Sequence, residues 1–332
     1  MTREHSAPGT IGVVVIGRNE GERLVRCLRS LLDRAERLVY VDSGSSDGSV
    51  AMARGLGIEV LELDGKVPFT AARARNGGFE RLLQLHPAIE HVFFVDGDCE
   101  VTPGWIDDAA RFLDSRPDVA VVWGRRRERH PDRSVYNLLC DIEWNSAAPG
   151  ETLSCGGDAL MRVAAVSEAH GFRADLICGE EPELCARMRT AGWRVWHLDR
   201  DMTVHDAAMD RFGQWWRRTV RVGYGYALFV RLESVREDRN WVYRSRRAWT
   251  WGCWIPLAIL ASTLALGWKA LLLAALYPLQ VLRLALQGNS SARANWSRAV
   301  AMVLGKFAEM QGQLKFLVEK GRGVRSGLIE YK

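Results

Sequence analysis

The chain has 332 residues, 45 Lys and Arg against 40 Asp and Glu for a formal charge of +5, and 48% hydrophobic residues; one or two domains with a large core are expected. The opening MTREHSAPGT has no apolar core, so it does not read as a secretory signal. Seven cysteines scattered without a Cys-x-x-Cys pair argue against a zinc site and a disulfide framework, leaving reduced thiols in a cytosolic catalytic part as the simplest expectation.

Residues 11–17 (IGVVVIG) predict a strand ending at Arg18-Asn19-Glu20, followed by a helical pattern through Leu24, Cys27, Leu28, Leu31 and Leu32. Residues 38–41 (LVYV) predict a second strand, closed by the polar loop Asp42–Ser49. A helix from about Ser49 to Leu56 leads to a third strand, IEVLEL, and a helix from about Thr70 to Leu85 precedes the run His91–Glu100. There the apolar residues Val92–Val95 end in Asp96-Gly97-Asp98. Strands alternating with helices over short connections give a parallel sheet covered on both faces. Its polar loops fall along one edge, where a nucleotide should lie. No Gly-x-Gly-x-x-Gly follows the first strand and no Walker motif is present, which disfavours a dinucleotide cofactor.

Two carboxylates separated by a glycine at a strand end suit a hard divalent cation bridging a substrate phosphate, although Asp-Gly-Asp also makes ordinary turns. Further on, Cys155-Gly156-Gly157-Asp158 is a small-residue turn, and Glu180-Glu181 stands at a loop-to-helix junction where acids also suit the helix dipole. Glu20 has the same two accounts, a nucleotide contact or a first-turn acid, and Asp47 reads as a helix cap alone. The basic stretch from Arg125 to Trp144 is a candidate acceptor loop or a solvated surface.

Ten arginines lie between Arg211 and Arg247 against Glu233, Glu237 and Asp238. The apolar segments C-terminal to this cluster favour an anionic membrane surface over nucleic acid, which is not expected as a partner. From Ala248 to Trp268 no residue is charged, and a second apolar stretch runs from Ala270 to Leu282, with Trp249, Trp251, Trp254 and Trp268 at the flanks. A membrane hairpin is expected, with both flanks cytoplasmic because arginines there outnumber Lys269 between the stretches. A re-entrant hairpin and a buried hairpin of a soluble domain are the competing accounts. Trp296, Val300, Val303, Phe307, Met310, Leu314 and Leu317 recur at three- and four-residue steps, predicting an amphipathic helix that lies in the interface or packs onto the rest of the chain. A loose basic tail is expected from Lys320 to Lys332. The domains expected are 1–245 (catalytic), 246–290 (membrane hairpin) and 291–332 (amphipathic helix and tail).

In the order Arg18-Asn19-Glu20, Val41-Asp42-Ser43-Gly44-Ser45-Ser46-Asp47-Gly48, Ala74-Arg75-Asn76-Gly77-Gly78, Asp96-Gly97-Asp98 and Gly179-Glu180-Glu181, the chain resembles glycosyltransferase family 2, of membrane-associated bacterial type, over roughly residues 11–225. The resemblance implies the GT-A fold, a Rossmann-like α/β sheet, mostly parallel, with helices on both faces, here followed by the helical hairpin and amphipathic helix. It implies an inverting transferase that uses Mg2+ or Mn2+ and moves a sugar from a nucleotide-diphosphate sugar donor to a hydroxyl of a lipid-linked or cell-envelope glycan acceptor. On these motifs Asn19, Glu20, Asp42 and Arg75 would meet the donor, Arg75 being favoured over Arg73 because it occupies the family's Arg-Asn position. Asp98, with Asp96 less directly, would hold the metal, and His205 in Thr203-Val204-His205 is the candidate third ligand. Glu181, with Glu180 beside it, takes the position of the general base, usually Asp in the family. Gly157 and Asp158 would lie beneath the donor sugar. Gln214 and Arg217 resemble the Gln-x-x-Arg-Trp signature of processive synthases, but Arg218 replaces its Trp. The location implied is the cell inner membrane with the catalytic domain cytoplasmic. A nucleotidyltransferase, or a non-catalytic membrane scaffold, is the alternative.

Overall fold

A computed structural model describes residues 10–235 and 238–323; most of the expected basic tail lies outside them. In chain order the elements are β1 (Ile11–Gly17), α1 (Glu22–Arg29), β2 (Leu38–Asp42), α2 (Ser49–Gly55), β3 (Glu59–Glu62), α3 (Ala71–Leu85), β4 (His91–Asp96) and β5 (Cys99–Val101). The chain continues through α4 (Trp105–Ser115), β6 (Val119–Glu128), α5 (Val135–Trp144), β7 (Gly150–Thr152), β8 (Ala159–Arg162), α6 (Val163–Glu168), α7 (Glu180–Thr190) and β9 (Arg194–His205). The remainder is helical: α8 (Phe212–Phe229), α9 (Arg239–Trp249), α10 (Ile255–Leu266), α11 (Leu276–Leu286) and α12 (Ala292–Gly321). The chain divides into two compact units, one of residues up to Arg129 with Trp144–Ala207, the other of His130–Glu143 with the chain from Ala208 onward. Residues 130–143 and 208–245, expected with the catalytic domain, thus pack with the C-terminal helices.

The first unit is built on one sheet in the order β3-β2-β1-β4-β8-β6-β9-β5, with β7 paired to β9. Pairing is parallel from β3 through β4 and again between β6 and β9; β8 runs antiparallel to both its neighbours, as do β5 and β7 to β9. β1, β2 and β4 are apolar along their central residues because both faces are covered. One face packs on Leu24, Leu28, Trp105 and Leu113, the other on Phe79, Leu82, Leu184 and Met188. A side chain at Gly78 would meet Val14 Cγ1 at 2.4 Å, so this glycine is required where α3 lies directly on the sheet. Register then fixes the site's rim: Gly17 pairs with Asp42 and Ile16 with Asp96, so the loops after β1, β2 and β4 leave one carboxyl edge together.

In the second unit α8 and α12 cross backbone to backbone. A Cβ on Gly223 would lie 2.0 Å from the Glu309 carbonyl and one on Gly312 2.0 Å from the Val220 carbonyl, so only glycine allows the crossing. Trp216 Nε1 donates to Gln311 Oε1 at 2.8 Å, and Tyr224 meets Phe316 edge-on. Of the apolar stripe expected on α12, Trp296, Val300, Leu314 and Leu317 are exposed and Val303 is buried, and the buried face also takes Ala299, Gly305, Ala308, Gly312 and Phe316. A π-helical turn, Thr250–Trp254, joins α9 to α10 where Gly252 passes close to the Lys306 carbonyl. Gly267, at φ 86°, then turns the chain into a 3-10 segment, Trp268–Ala275, and α11. Arg239–Leu266 and Trp268–Leu286 are each long and apolar enough to cross a membrane, and at most 11% of either apolar window is buried within the molecule.

Candidate active site

The nucleotide-side loops are held by their own polar residues. Asn19 adopts φ 56°, a left-handed conformation Asn tolerates; its backbone N–H donates to Ser45 Oγ at 2.9 Å and its Oδ1 accepts from the Ser46 N–H at 2.8 Å. Asp42 is 2% exposed: Tyr40 donates to Oδ1 at 2.9 Å, and the N–H groups of Gly44 and Ser45 donate to Oδ2 at 2.9 and 2.8 Å. These two residues therefore shape the loops, and a donor contact from either uses the lone pairs left over. Asp47 accepts from the Ser49 and Gly21 N–H groups, and Glu20 pairs with Arg23 at 2.8 Å near the start of α1. Arg73 donates to the carbonyls of Val67 and Asp64, bracing the loop before α3.

Arg75 has the opposite fate. Its guanidinium, 2% exposed, lies 2.8 Å from Glu180, 3.0 Å from Glu181 and 3.0 Å from Asp96, and donates to the Gly157 carbonyl. Expected to touch the donor, it is instead a buried bridge between the strand-end acid and the acid pair that opens α7. Those acids had no sequence proximity to Asp96, and Arg75 is what joins them. Glu181 is the more open of the pair, with 15% of its side chain exposed against 6% for Glu180. Burial, and then the neighbouring Glu180, push the Glu181 carboxyl up to about 7, against the opposing pull of Arg75. Asn76 positions the same loop: its Nδ2 donates to the Phe172 carbonyl at 2.7 Å and its Oδ1 accepts from the Phe172 N–H at 2.8 Å.

Gly157 is the small-residue position the cluster needs, since a Cβ there would lie 2.8 Å from Asp96 Oδ2 and 2.9 Å from the Arg75 guanidinium. Asp158, expected under the donor sugar, is fully buried and fully used. It accepts from the Asp96 N–H at 3.0 Å and Thr203 Oγ1 at 2.7 Å, and pairs with Arg126 at 2.7 Å. It supports the Asp96 backbone from beneath. Arg126, which also reaches Asp96 Oδ2 at 3.3 Å, was not singled out from the sequence. Of the stretch Arg125–Trp144, expected as an acceptor loop or a solvated surface, the part up to Glu128 is the end of β6, where period two sends Arg126 and Glu128 toward the cluster while Arg125 pairs outward with Asp199 and Asp201. Asp96, Asp158, Glu180 and Glu181 share the two guanidiniums of Arg75 and Arg126, an excess of negative charge that suits a bound cation.

The residues for that cation come together through register. Cys99 on β5 pairs with His205 on β9, and His205 Nε2 lies 3.1 Å from Asp98 Oδ2. Asp98, Cys99 and His205 have ligand atoms close enough to share one ion. Burial lowers the His205 pKa and keeps the ring neutral, as a metal ligand requires. An oxygen and an imidazole nitrogen fit Mn2+ and, less closely, Mg2+. Trp144 closes over the ring edge-on at 4.6 Å.

Two residues of the expected site belong to the second unit. Gln214 caps α8: its Oε1 accepts from the Asp210 and Arg211 N–H groups at 3.0 and 2.9 Å and its Nε2 donates to the Ala208 carbonyl. It thus serves as the N-terminal cap of α8. Arg217 is exposed, and Arg218, where a synthase has Trp, pairs with Glu143 at 2.7 Å. All seven cysteines are free thiols.

The mixed sheet thus carries an acid pair that faces a strand-end Asp-x-Asp across Arg75. Residues 12–169 match Glycosyl transferase family 2. Over 96% of this chain and 90% of the other, the structure is similar to the mannosyltransferase PcManGT from Pyrobaculum calidifontis, solved with GDP-Man and Mn2+, at TM-score 0.66 and 18% identity. It is also similar to S. aureus TarS 1–349, at TM-score 0.50 and 16% identity over 95% of this chain and 92% of that one. At these identities the likeness is one of fold. Among curated proteins, a probable glucomannan 4-beta-mannosyltransferase 10 of Arabidopsis thaliana is 22% identical over 205 residues, 58% of this chain and 36% of that one. A TPR repeat-containing protein of Synechococcus elongatus is 37% identical over 68 residues, 20% of this chain. The chain spans only 17% and 36% of the lengths of these two relatives.

Proposed function

We propose that the chain is a metal-dependent, inverting transferase that moves a sugar from a nucleoside-diphosphate donor to a hydroxyl of a lipid-linked or cell-envelope glycan. The observation that carries this reading is Arg75, which holds Asp96 and Glu181 to one guanidinium and so puts the strand-end acids and the candidate base at a single site. Asp98 and His205, with Asp96 beside them, would hold Mn2+ or Mg2+, which when bound neutralises charge developing on a departing diphosphate. Glu181 takes the acceptor hydroxyl proton as that oxygen bonds to the anomeric carbon; the bond from that carbon to the diphosphate oxygen breaks on the opposite side, and the nucleoside diphosphate leaves. A carboxyl with its pKa near 7 is matched to this task at neutral pH. Asn19, Glu20 and Asp42 order the loops that would receive the nucleoside.

The test is a screen of UDP- and GDP-sugars for Mn2+-dependent release of nucleoside diphosphate. Activity should vanish with EDTA and return with Mn2+, and Asp98→Asn should lower it about 10²–10³-fold, since the metal is worth several kcal/mol. Release unaffected by EDTA and by Asp98→Asn contradicts the metal reading.

The membrane part of the proposal rests on the second unit. Leu264 and Leu272 are 80% and 75% exposed, and Trp296, Val300, Leu314 and Leu317 on α12 are exposed as well. Such faces favour a bilayer, with α12 in the interface and the arginines before Ala248 on the cytoplasmic side of the inner membrane. A Leu264→Asp, Leu272→Asp chain should lose sedimentation with vesicles of phosphatidylethanolamine and phosphatidylglycerol while keeping its thermal unfolding temperature in detergent. Each Asp costs about 3 kcal/mol at bilayer depth and almost nothing on a solvated face. Equal sedimentation of the two proteins rejects membrane insertion of the hairpin.

A further inference from the structure

We propose that Glu128 is a positioning residue that fixes the orientation and tautomer of His205 for metal binding. This role deepens the proposed metal site and rests on that reading. β6 and β9 run parallel with Glu128 as the register partner of His205, while β5 brings Cys99, next to Asp98, against the same histidine from the other side. His205 is thus held between two strands, with its two ring nitrogens facing different acids. Nε2 is 3.1 Å from Asp98 Oδ2, and Nδ1 is 3.9 Å from Glu128 Oε2.

The Glu128 side chain has no exposed surface, and a carboxylate is rarely left in such a place without work to do. One of its oxygens accepts from the Ala207 N–H at 3.0 Å, which ties the carboxylate to the chain two residues beyond the histidine. His205 Nδ1 is itself buried and has no hydrogen-bond partner among the described residues. A buried imidazole N–H facing a buried carboxylate just beyond hydrogen-bond range needs only a small ring shift to donate to it. A proton on Nδ1 leaves the Nε2 lone pair toward Asp98, the side where the metal ligands converge. Trp144 packs edge-on against the same ring.

The experiment measures Mn2+ binding to the full chain in detergent by EPR, with and without GDP or UDP, and reads imidazole coordination from the 14N modulation of the bound ion. Glu128→Ala should weaken Mn2+ binding about 10–100-fold and diminish the nitrogen signal, and Glu128→Gln should do so less. His205→Ala serves as the reference for complete loss of the nitrogen ligand. Mn2+ affinity and nitrogen signal unchanged in folded Glu128→Ala, with both lost in His205→Ala, overturn the proposal alone. Should Glu128→Ala not fold, the same measurements on Glu128→Gln decide, and wild-type values there overturn it. A wild-type chain that binds no Mn2+, or binds it without any nitrogen signal, overturns the metal reading and this proposal with it.

Discussion

Glu181→Gln is expected to abolish most transfer, by about 10²–10⁴-fold in kcat, while leaving donor and Mn2+ affinity within a few-fold of the wild type. The amide keeps the shape of the side chain but cannot take a proton from the acceptor. The wild-type profile carries the same signature. Burial and Glu180 push the Glu181 carboxyl up to about 7, so the base is protonated and idle in acid, and kcat/KM should fall about tenfold per unit below that value. Stability runs the other way. A carboxyl whose pKa is raised by folding contributes fully below its unfolded value, and that contribution is lost as pH rises through about 7. At pH 8 the Gln variant, which carries no charge to bury, should therefore unfold at the same or a higher temperature than the wild type. Activity gone with stability kept or gained is the pattern of a functional residue that the fold holds at a cost. A variant with both properties unchanged removes Glu181 from the reaction.

The rim of the site was legible because its residues end buried parallel strands. Asn19 after β1, Asp42 ending β2 and Asp96 ending β4 must share an edge once three apolar runs are read as neighbouring parallel strands, and the register bears that out. Motif order carried the family, and the matched domain and the GT-A fold agree with it. What the sequence hid are contacts between segments far apart in the chain. Arg126 and Glu128 sit in a run of charges with no apolar partner to betray the strand period, so a strand end looked like a loop. The pairing of Glu128 with His205 depends on the β6–β9 register, which passes through β-bulges between Trp123 and Arg126 that local pattern does not encode. Burial separates residues that a motif treats alike. Asp158 and Arg75 are conventional donor contacts by type, yet both are buried. α12 shows the same limit in helical form: its large apolar residues left open whether the stripe meets a membrane or packs, and the buried face combines Val303 and Phe316 with glycine and alanine.

Arg75→Leu should be the most damaging single substitution to the fold among the site residues. Its guanidinium is 2% exposed and holds Asp96, Glu180 and Glu181 at 3.0 Å or less. Leucine restores apolar volume but leaves three carboxylates facing one another, and removing one partner of a buried ionic cluster costs about 3–5 kcal/mol. Arg75→Lys does little better, because a single ammonium cannot present separate donors to acids on β4 and α7. The deficit should depend on pH with a definite sign. Without Arg75 the Glu181 carboxyl rises further in pKa, so the folded state binds more protons than the unfolded one and gains stability as pH falls. Urea unfolding at pH 8 and pH 5.5 should therefore show the gap between Arg75→Leu and wild type narrowing in the more acidic buffer. The surviving activity should move with it: the limb governed by Glu181 shifts above 7, because the positive charge that opposed its protonation is gone. A deficit that is the same at both pH values, with an unshifted activity limb, would mean that Arg75 serves packing alone and that Asp96 and Glu181 are held together by something other than its charge.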